Sequence, residues 1–120
     1  MNRLTGDEAE AEYDTNERET IAEVPGLRVR LLALGPGQSV PWHLHTEIRD
    51  TFFCMDGPMK VATRDSGGLR NMHMLGPGDM LAVDPGTAHE VTPGSPGGSC
   101  RFMIVQGVGT YDYVPLGADP

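Results

Sequence analysis

The chemistry most legible in this sequence belongs to three histidines. His43 and His45 stand two residues apart in H-L-H, and His89 closes the run P-G-T-A-H. The short spacing selects a backbone. Residues i and i+2 share one face of a strand, whereas on a helix they point to nearly opposite sides. Two imidazoles on one strand face, joined by a third from another strand, can grip one divalent metal. H-x-H alone is common among surface and packing histidines, so the surrounding sequence has to decide.

The elements that would carry these histidines are short. Gly and Pro number 16 and 10, and they recur at intervals: G-P-G at 35–37, D-G-P at 56–58, G-G at 67–68, G-P-G at 76–78, P-G at 85–86 and P-G-S-P-G-G at 93–98. Turn signals this regular, with short apolar runs between them, predict an all-β sandwich or barrel. The predicted strands are 27–34, 40–45, 51–56, 59–64, 71–75, 80–83, 90–92, 101–106 and 111–114. Only 7–20 carries helix formers, and it has little apolar face.

The chain of 120 residues suits one domain with its own core. Its net charge of −8 is unevenly placed: residues 7–23 hold eight acids against Arg18 alone. Residues 1–23 therefore read as an acidic N-terminal arm, solvated or a short exposed helix, and 24–120 as the β domain. No basic footprint suggests nucleic acid, and no apolar run is long enough to span a membrane. The start M-N-R-L-T-G-D-E shows no hydrophobic leader. Cys54 and Cys100 form no C-x-x-C pair, so free thiols in a reducing cytoplasm are expected.

Strand parity places the candidate ligands. Pro41, His43 and His45 share one face; Val40, Trp42 and Leu44 share the other. Trp42 is then expected away from the metal, in an apolar patch where subunits would pair as a homodimer. On the next strand Asp50, Phe52 and Cys54 share a face, so Asp50 is the carboxylate best placed to join the histidines, while Glu47 falls in the turn. The Pro85-Gly86 turn returns His89 toward the site. His73, in phase with Leu75, reads first as a pocket or core histidine.

These residues resemble the cupins. The first cupin motif, G-x5-H-x-H-x3,4-E-x6-G, is matched by Gly37, His43, His45, Asp50 and Gly57. The second, G-x5-P-x-G-x2-H-x3-N, is matched in spacing by Gly78, Asp84, Gly86, His89 and Pro93. The resemblance spans residues 37–93. It implies a double-stranded β-helix, or jelly-roll, barrel with a metal in its mouth, and frequent homodimers. Asp50 stands where the family usually has Glu and is one methylene shorter. Asp84 and Pro93 replace the motif's Pro and Asn in turns.

Three imidazoles and a carboxylate suit one divalent transition metal: Fe, Mn, Ni, Zn, Co or Cu. Open coordination positions would permit Lewis-acid chemistry on a carbonyl or enol, or oxygen activation on iron. Phe52, Cys54, Met59, Met72, Met74, Met80, Phe102, Met103 and Ile104 are the residues available as pocket lining or core. Neither a serine-nucleophile elbow nor a nucleotide-binding loop occurs. Arg28, Arg30, Arg49, Arg64, Arg70 and Arg101 could anchor an anion, but parity singles out none. Two classes of function remain. One is a metal-dependent enzyme on a small carbonyl, enol or aromatic compound, with dioxygenase and cyclase as the candidate reactions. The other is a non-catalytic metal-carrying module that binds or senses a small molecule. An acid or base beside the metal favours the enzyme, and His73 and then Gln106 are the candidates for it.

Overall fold

The computed structural model describes residues 3–117. After a five-residue helix α1 (Gly6–Glu10) the chain is all β: β1 (Glu17–Val24), β2 (Leu27–Leu34), β3 (Val40–Leu44), β4 (Arg49–Asp56), β5 (Met59–Arg64), β6 (Arg70–Leu75), β7 (Met80–Val83), β8 (Ala88–Pro93), β9 (Cys100–Gly107) and β10 (Val114–Pro115). Two antiparallel sheets form, in the orders β1-β2-β9-β4-β7 and β10-β3-β8-β5-β6. This is the jelly-roll arrangement that the resemblance implies, within the all-β class that the turn spacing predicts.

Alternation on each strand builds the interior. On β2, Arg28, Arg30, Leu32 and Leu34 point inward; on β9, Cys100, Phe102, Ile104 and Gln106 do so; on β4, Asp50, Phe52 and Cys54. Leu32, Leu34, Phe52, Met59, Val61, Val91 and Phe102 close the apolar end of the barrel. The opposite end is polar. There the paired residues Arg28, Gln106 and Asp50 cross the first sheet in one row, and His43, His89 and Thr63 cross the second. Both thiols are free and buried, and burial pushes Cys100 up to about 11.

Of the expected strand 111–114 only Val114 falls in a strand, β10, and the structure differs from the sequence expectations in three further places. Residues 17–23, expected within an acidic arm, belong to β1, which pairs with β2 along its length. The residue 23/24 boundary thus falls inside a strand. Acidic side chains are tolerated there because β1 is an edge strand exposed to water, and charge on an edge also blocks pairing with other chains. Only Gly6–Glu10 of the expected helical stretch is helical, started by a capping box between Thr5 and Glu8.

The second difference is on β3. The register slips between Val40 and His43, which pair with Val91 and His89. One extra residue on β3 turns both Val40 and His43 inward. Val40 therefore belongs to the core and not to the face of Trp42. The third concerns Trp42 itself, which does point away from the histidines but is only 3 % exposed. Ala62, Ala88 and Leu116 of the same chain pack on it, and the Arg70 guanidinium lies 5.3 Å from its ring centroid. The expected open apolar patch is thus already covered.

Candidate metal centre

His43 and His89 sit opposite each other on β3 and β8, and His45 follows just past the end of β3. Asp50 comes from β4 in the other sheet. One potential ligand atom from each of the four lies within 4.8 Å of all the others, and all four residues are buried. The expected set of His43, His45, Asp50 and His89 is brought together in full. Asp50, the short arm, is 1 % exposed.

The backbone aims the rings. His43 Nδ1 donates to the Pro41 carbonyl at 2.7 Å and His89 Nδ1 to the Thr87 carbonyl at 2.8 Å. His45 Nδ1 donates to the Asp112 carbonyl. A carbonyl oxygen only accepts, so each Nδ1 carries the hydrogen and each Nε2 turns to the centre. Asp50 Oδ2 lies 2.9 Å from Nε2 of both His45 and His89. Nitrogen lone pairs and a carboxylate oxygen repel at this range unless a cation, a proton or a metal ion, lies among them. The donor set therefore fits a metal ion on its own chemistry, with carbonyl partners of the kind that orient ligating histidines.

Electrostatics point the same way. Burial, reinforced by the charges of His89 and His45, holds the His43 pKa well below the ordinary value. Burial also pulls on His45, but the Asp50 charge and hydrogen bond outweigh it and raise His45. Burial works against the Asp50 anion, yet His45 and His89 hold its pKa well below the usual carboxylate range. A proton or a metal is thus favoured between His45 and Asp50.

Around this centre lies a cavity of ≈ 20 Å³. That is about the space of one water. Phe52, Phe102 and Ile104 line it as the sequence suggests, but Met72, Met74 and Met80 are exposed on edge strands. The rest of the wall is polar: Tyr13, Arg28, Arg30, Gln106, Tyr111 and Tyr113. Gln106 is at the site. Its Nε2 donates to Asp50 Oδ1 at 3.2 Å, and its Oε1 accepts from Arg28 Nε at 3.0 Å. His73 does not line the cavity; its Nε2 and Thr63 Oγ1 form a hydrogen bond of 3.3 Å.

Sequence reasoning named Arg28 and Arg30 among six possible anion anchors without singling them out, and it left out the tyrosines. Alternation in phase with Leu32 and Leu34 is the signal that could have found Arg28 and Arg30. Tyr113 stacks on His43 with ring centroids 4.4 Å apart, an arrangement that no local pattern announces. Burial raises the pKa of Tyr111 and Tyr113, so both stay neutral. Asp112 clamps the Tyr111–Tyr113 segment in place by accepting from the Thr46 backbone at 2.8 Å, the Thr46 hydroxyl at 2.6 Å and Arg3 at 2.8 Å.

A family model described as "Cupin domain" matches residues 30–112. The chain belongs to the cupin family. No curated protein matches it in sequence. Solved structures share its fold. A Klebsiella pneumoniae protein with a double-stranded β-helix domain is 22 % identical, with 82 % of this chain and 81 % of that one covered at a TM-score of 0.64. A cupin-2 domain protein from Shewanella frigidimarina is 22 % identical, with 84 % and 89 % covered and a TM-score of 0.61. The oxalate decarboxylase of Lactobacillus farciminis, solved as a formate complex, is 16 % identical at a TM-score of 0.71; 88 % of this cupin covers 34 % of that chain. Peruvianin-I, a cysteine peptidase of Thevetia peruviana latex, is 18 % identical at a TM-score of 0.69, and 78 % of this cupin spans 58 % of its length. At these identities the likeness is one of fold.

Proposed function

We propose that this cupin is a metal-dependent enzyme acting on a small organic compound with a carbonyl, enol or aromatic group, as a dioxygenase or cyclase. His43, His45, His89 and Asp50 would hold one divalent transition metal. The observation that carries the reading is the convergence of imidazole Nε2 atoms on Asp50 Oδ2 in a buried cage. A bound ion of this class supplies Lewis acidity or, with iron, oxygen activation.

The chain's own residues supply the rest. Gln106 fixes the orientation of Asp50 and links it to Arg28. Tyr113, packed flat on His43, keeps bulk water from that ligand. Gln106 is thus a positioning residue in this reading, and His73, away from the cavity, has no part in it. Metal analysis of protein expressed without added metal, paired with an oxygen-uptake screen, tests the proposal. One equivalent of transition metal is expected. Absence of metal after reconstitution with Fe, Mn, Ni, Zn, Co and Cu in turn would remove its basis.

A second reading, a small-molecule binding or sensor module without turnover, is favoured by the cavity lining, which beyond the cage residues offers tyrosines, arginines and Gln106 but, among the described residues, no further carboxylate or imidazole to act as acid or base. Metal content with a bound organic molecule but no turnover across the screen would select it. Two free, buried thiols support a reducing compartment such as the cytoplasm. No helix among the described residues is long and apolar enough to cross a membrane. We also propose a homodimer, supported by Met72 and Met74, both more than half exposed on the outer side of β6. Light scattering at micromolar concentration should report twice the chain mass of 12.9 kDa; the mass of one chain would refute the dimer.

A further inference from the structure

The cavity wall carries two arginines that contribute no ligand to the metal cage. Arg28 and Arg30 hold alternate inward positions on β2, where Leu32 and Leu34 continue the same face. Burying a guanidinium costs free energy unless it is paired and hydrogen-bonded. Arg28 meets that condition through Gln106, with its guanidinium 4.1 Å from the Tyr111 ring centroid. Arg30 does not. It is only 5 % exposed, its Nη2 reaches Glu10 Oε1 at 2.9 Å, and its buried Nε has no hydrogen-bond partner among the described residues. The Tyr113 hydroxyl is also buried without a partner among the described residues, and both residues line the cavity.

Charge is unbalanced in the same direction. Asp50 is the one carboxylate in the cavity lining, against two guanidinium groups. A divalent ion in the cage would add further positive charge. The counter-charge comes from outside. Glu10, at the end of α1 and 42 % exposed, extends its carboxylate inward to Arg30. Its segment lies over the cavity, held by Arg18 donating to the Glu10 and Tyr13 carbonyls at 3.2 Å each and by the bridge of Leu4 to Tyr113. Tyr13 is itself part of the cavity wall.

We propose that Arg30, with Arg28 and Tyr113, forms a carboxylate subsite of the metal cavity, and that Glu10 is its built-in occupant, displaced when a small carboxylate ligand binds. The inference rests on the cavity being the working site. Displacing Glu10 removes one of the ties on residues 5–13, and the loosened segment enlarges a cavity that otherwise has room for about one water. Glu10 reaches Arg30 from a vestibule outside Arg28 that Asp7 and Glu23 also line, so polyanions are repelled and a single small carboxylate is favoured.

The test uses the full chain loaded with zinc, which is redox-inert, with acetate as probe and acetamide as its neutral counterpart. Binding is read from the Arg Nε–H resonances and from amide hydrogen exchange over residues 5–13. Acetate should shift the Arg30 signal and speed exchange across that segment; acetamide should do neither. Glu10→Gln removes the internal competitor and should tighten acetate binding several-fold, since affinity scales with the open fraction. Arg30→Gln should weaken it roughly tenfold or more, the scale of losing a hydrogen bond to a charged group. If Arg30→Gln fails to fold, the partly exposed Glu10 variant decides. Equal binding by wild type and Glu10→Gln, equal binding of acetamide, or acetate affinity that survives Arg30→Gln would each overturn the subsite. Zinc counted in the same samples separates the two readings. No bound zinc with the Glu10 effect intact sinks the metal cage alone, and one zinc without that effect sinks the subsite alone.

Discussion

At the scale of single residues, the centre depends on which nitrogen faces inward. The carbonyls of Pro41, Thr87 and Asp112 fix that choice for His43, His89 and His45. Replacing any of the three by Ala removes a ligand and leaves a polar hole. Metal stoichiometry of His89→Ala, measured by elemental analysis, should fall from one equivalent to a small fraction. Asp50→Ala should lose less, because the three imidazoles remain, yet it should still cost 10-fold or more in affinity, roughly the effect of losing a carboxylate partner to ligating histidines. A His89→Ala protein with full metal would refute the cage.

The same residues set opposite pH responses for the loaded and the metal-free chain. Without metal, Asp50 raises the folded pKa of His45. The stability from that pair is full below the unfolded histidine value of about 6.5 and is lost as pH rises through the folded value. With metal, the imidazoles must be neutral to ligate, so binding strengthens as pH rises and metal is released below about 6.5. Above pH about 6.5, denaturation midpoints should therefore fall with pH for the metal-free protein and rise for its loaded form; below that value the depressed His43 works in the opposite direction and the metal-free midpoint should rise with pH. Parallel slopes would show that the histidines hold no metal.

At the scale of elements, the positions of the strands were legible and their irregularities were not. Gly-Pro turns marked β2, β5 and β7 to the residue, because a turn is a local property of the chain. The edge strand β1 was hidden by its acids, since an exposed edge need not show an apolar alternation. The bulge in β3 was hidden because strict parity was assumed across 40–45, and one extra residue inverts everything before it. The four ligands were legible because H-x-H is a same-face pattern beyond that bulge. Arg28 and Arg30 were not, because an inward arginine breaks the rule that charge faces water.

The covered Trp42 alters what a substitution there should do. Its ring is enclosed by Ala62 and Ala88 from the sheet and by Leu116 from the C-terminal segment. The Leu116 backbone N–H also donates to the Trp42 carbonyl at 3.0 Å. Trp42→Ala should therefore destabilise the single chain by about 3–5 kcal/mol, the usual cost of emptying a buried aromatic site. Urea denaturation would measure it. A loss below about 1 kcal/mol, with the dimer dissociated instead, would restore the reading of Trp42 as an intersubunit residue.

At the scale of the whole molecule, the metal cage is a joint between sheets. His43 and His89 lie in the second sheet and Asp50 in the first, so one ion would tie together layers that otherwise meet mainly through apolar packing. An ion that binds only the folded chain stabilises it by mass action, about 2.7 kcal/mol at 100 times its dissociation constant. For a domain near 100 residues, each kcal/mol moves the melting temperature by about 4–8 °C. Removing metal with a chelator should thus lower the midpoint by roughly 10–20 °C at that excess, and readdition should restore it. The Asp50→Ala chain should show a smaller chelator shift, because it has lost the one ligand that comes from the first sheet. If wild type and Asp50→Ala shift equally, the ion sits on the histidines alone and the two sheets are not joined through it.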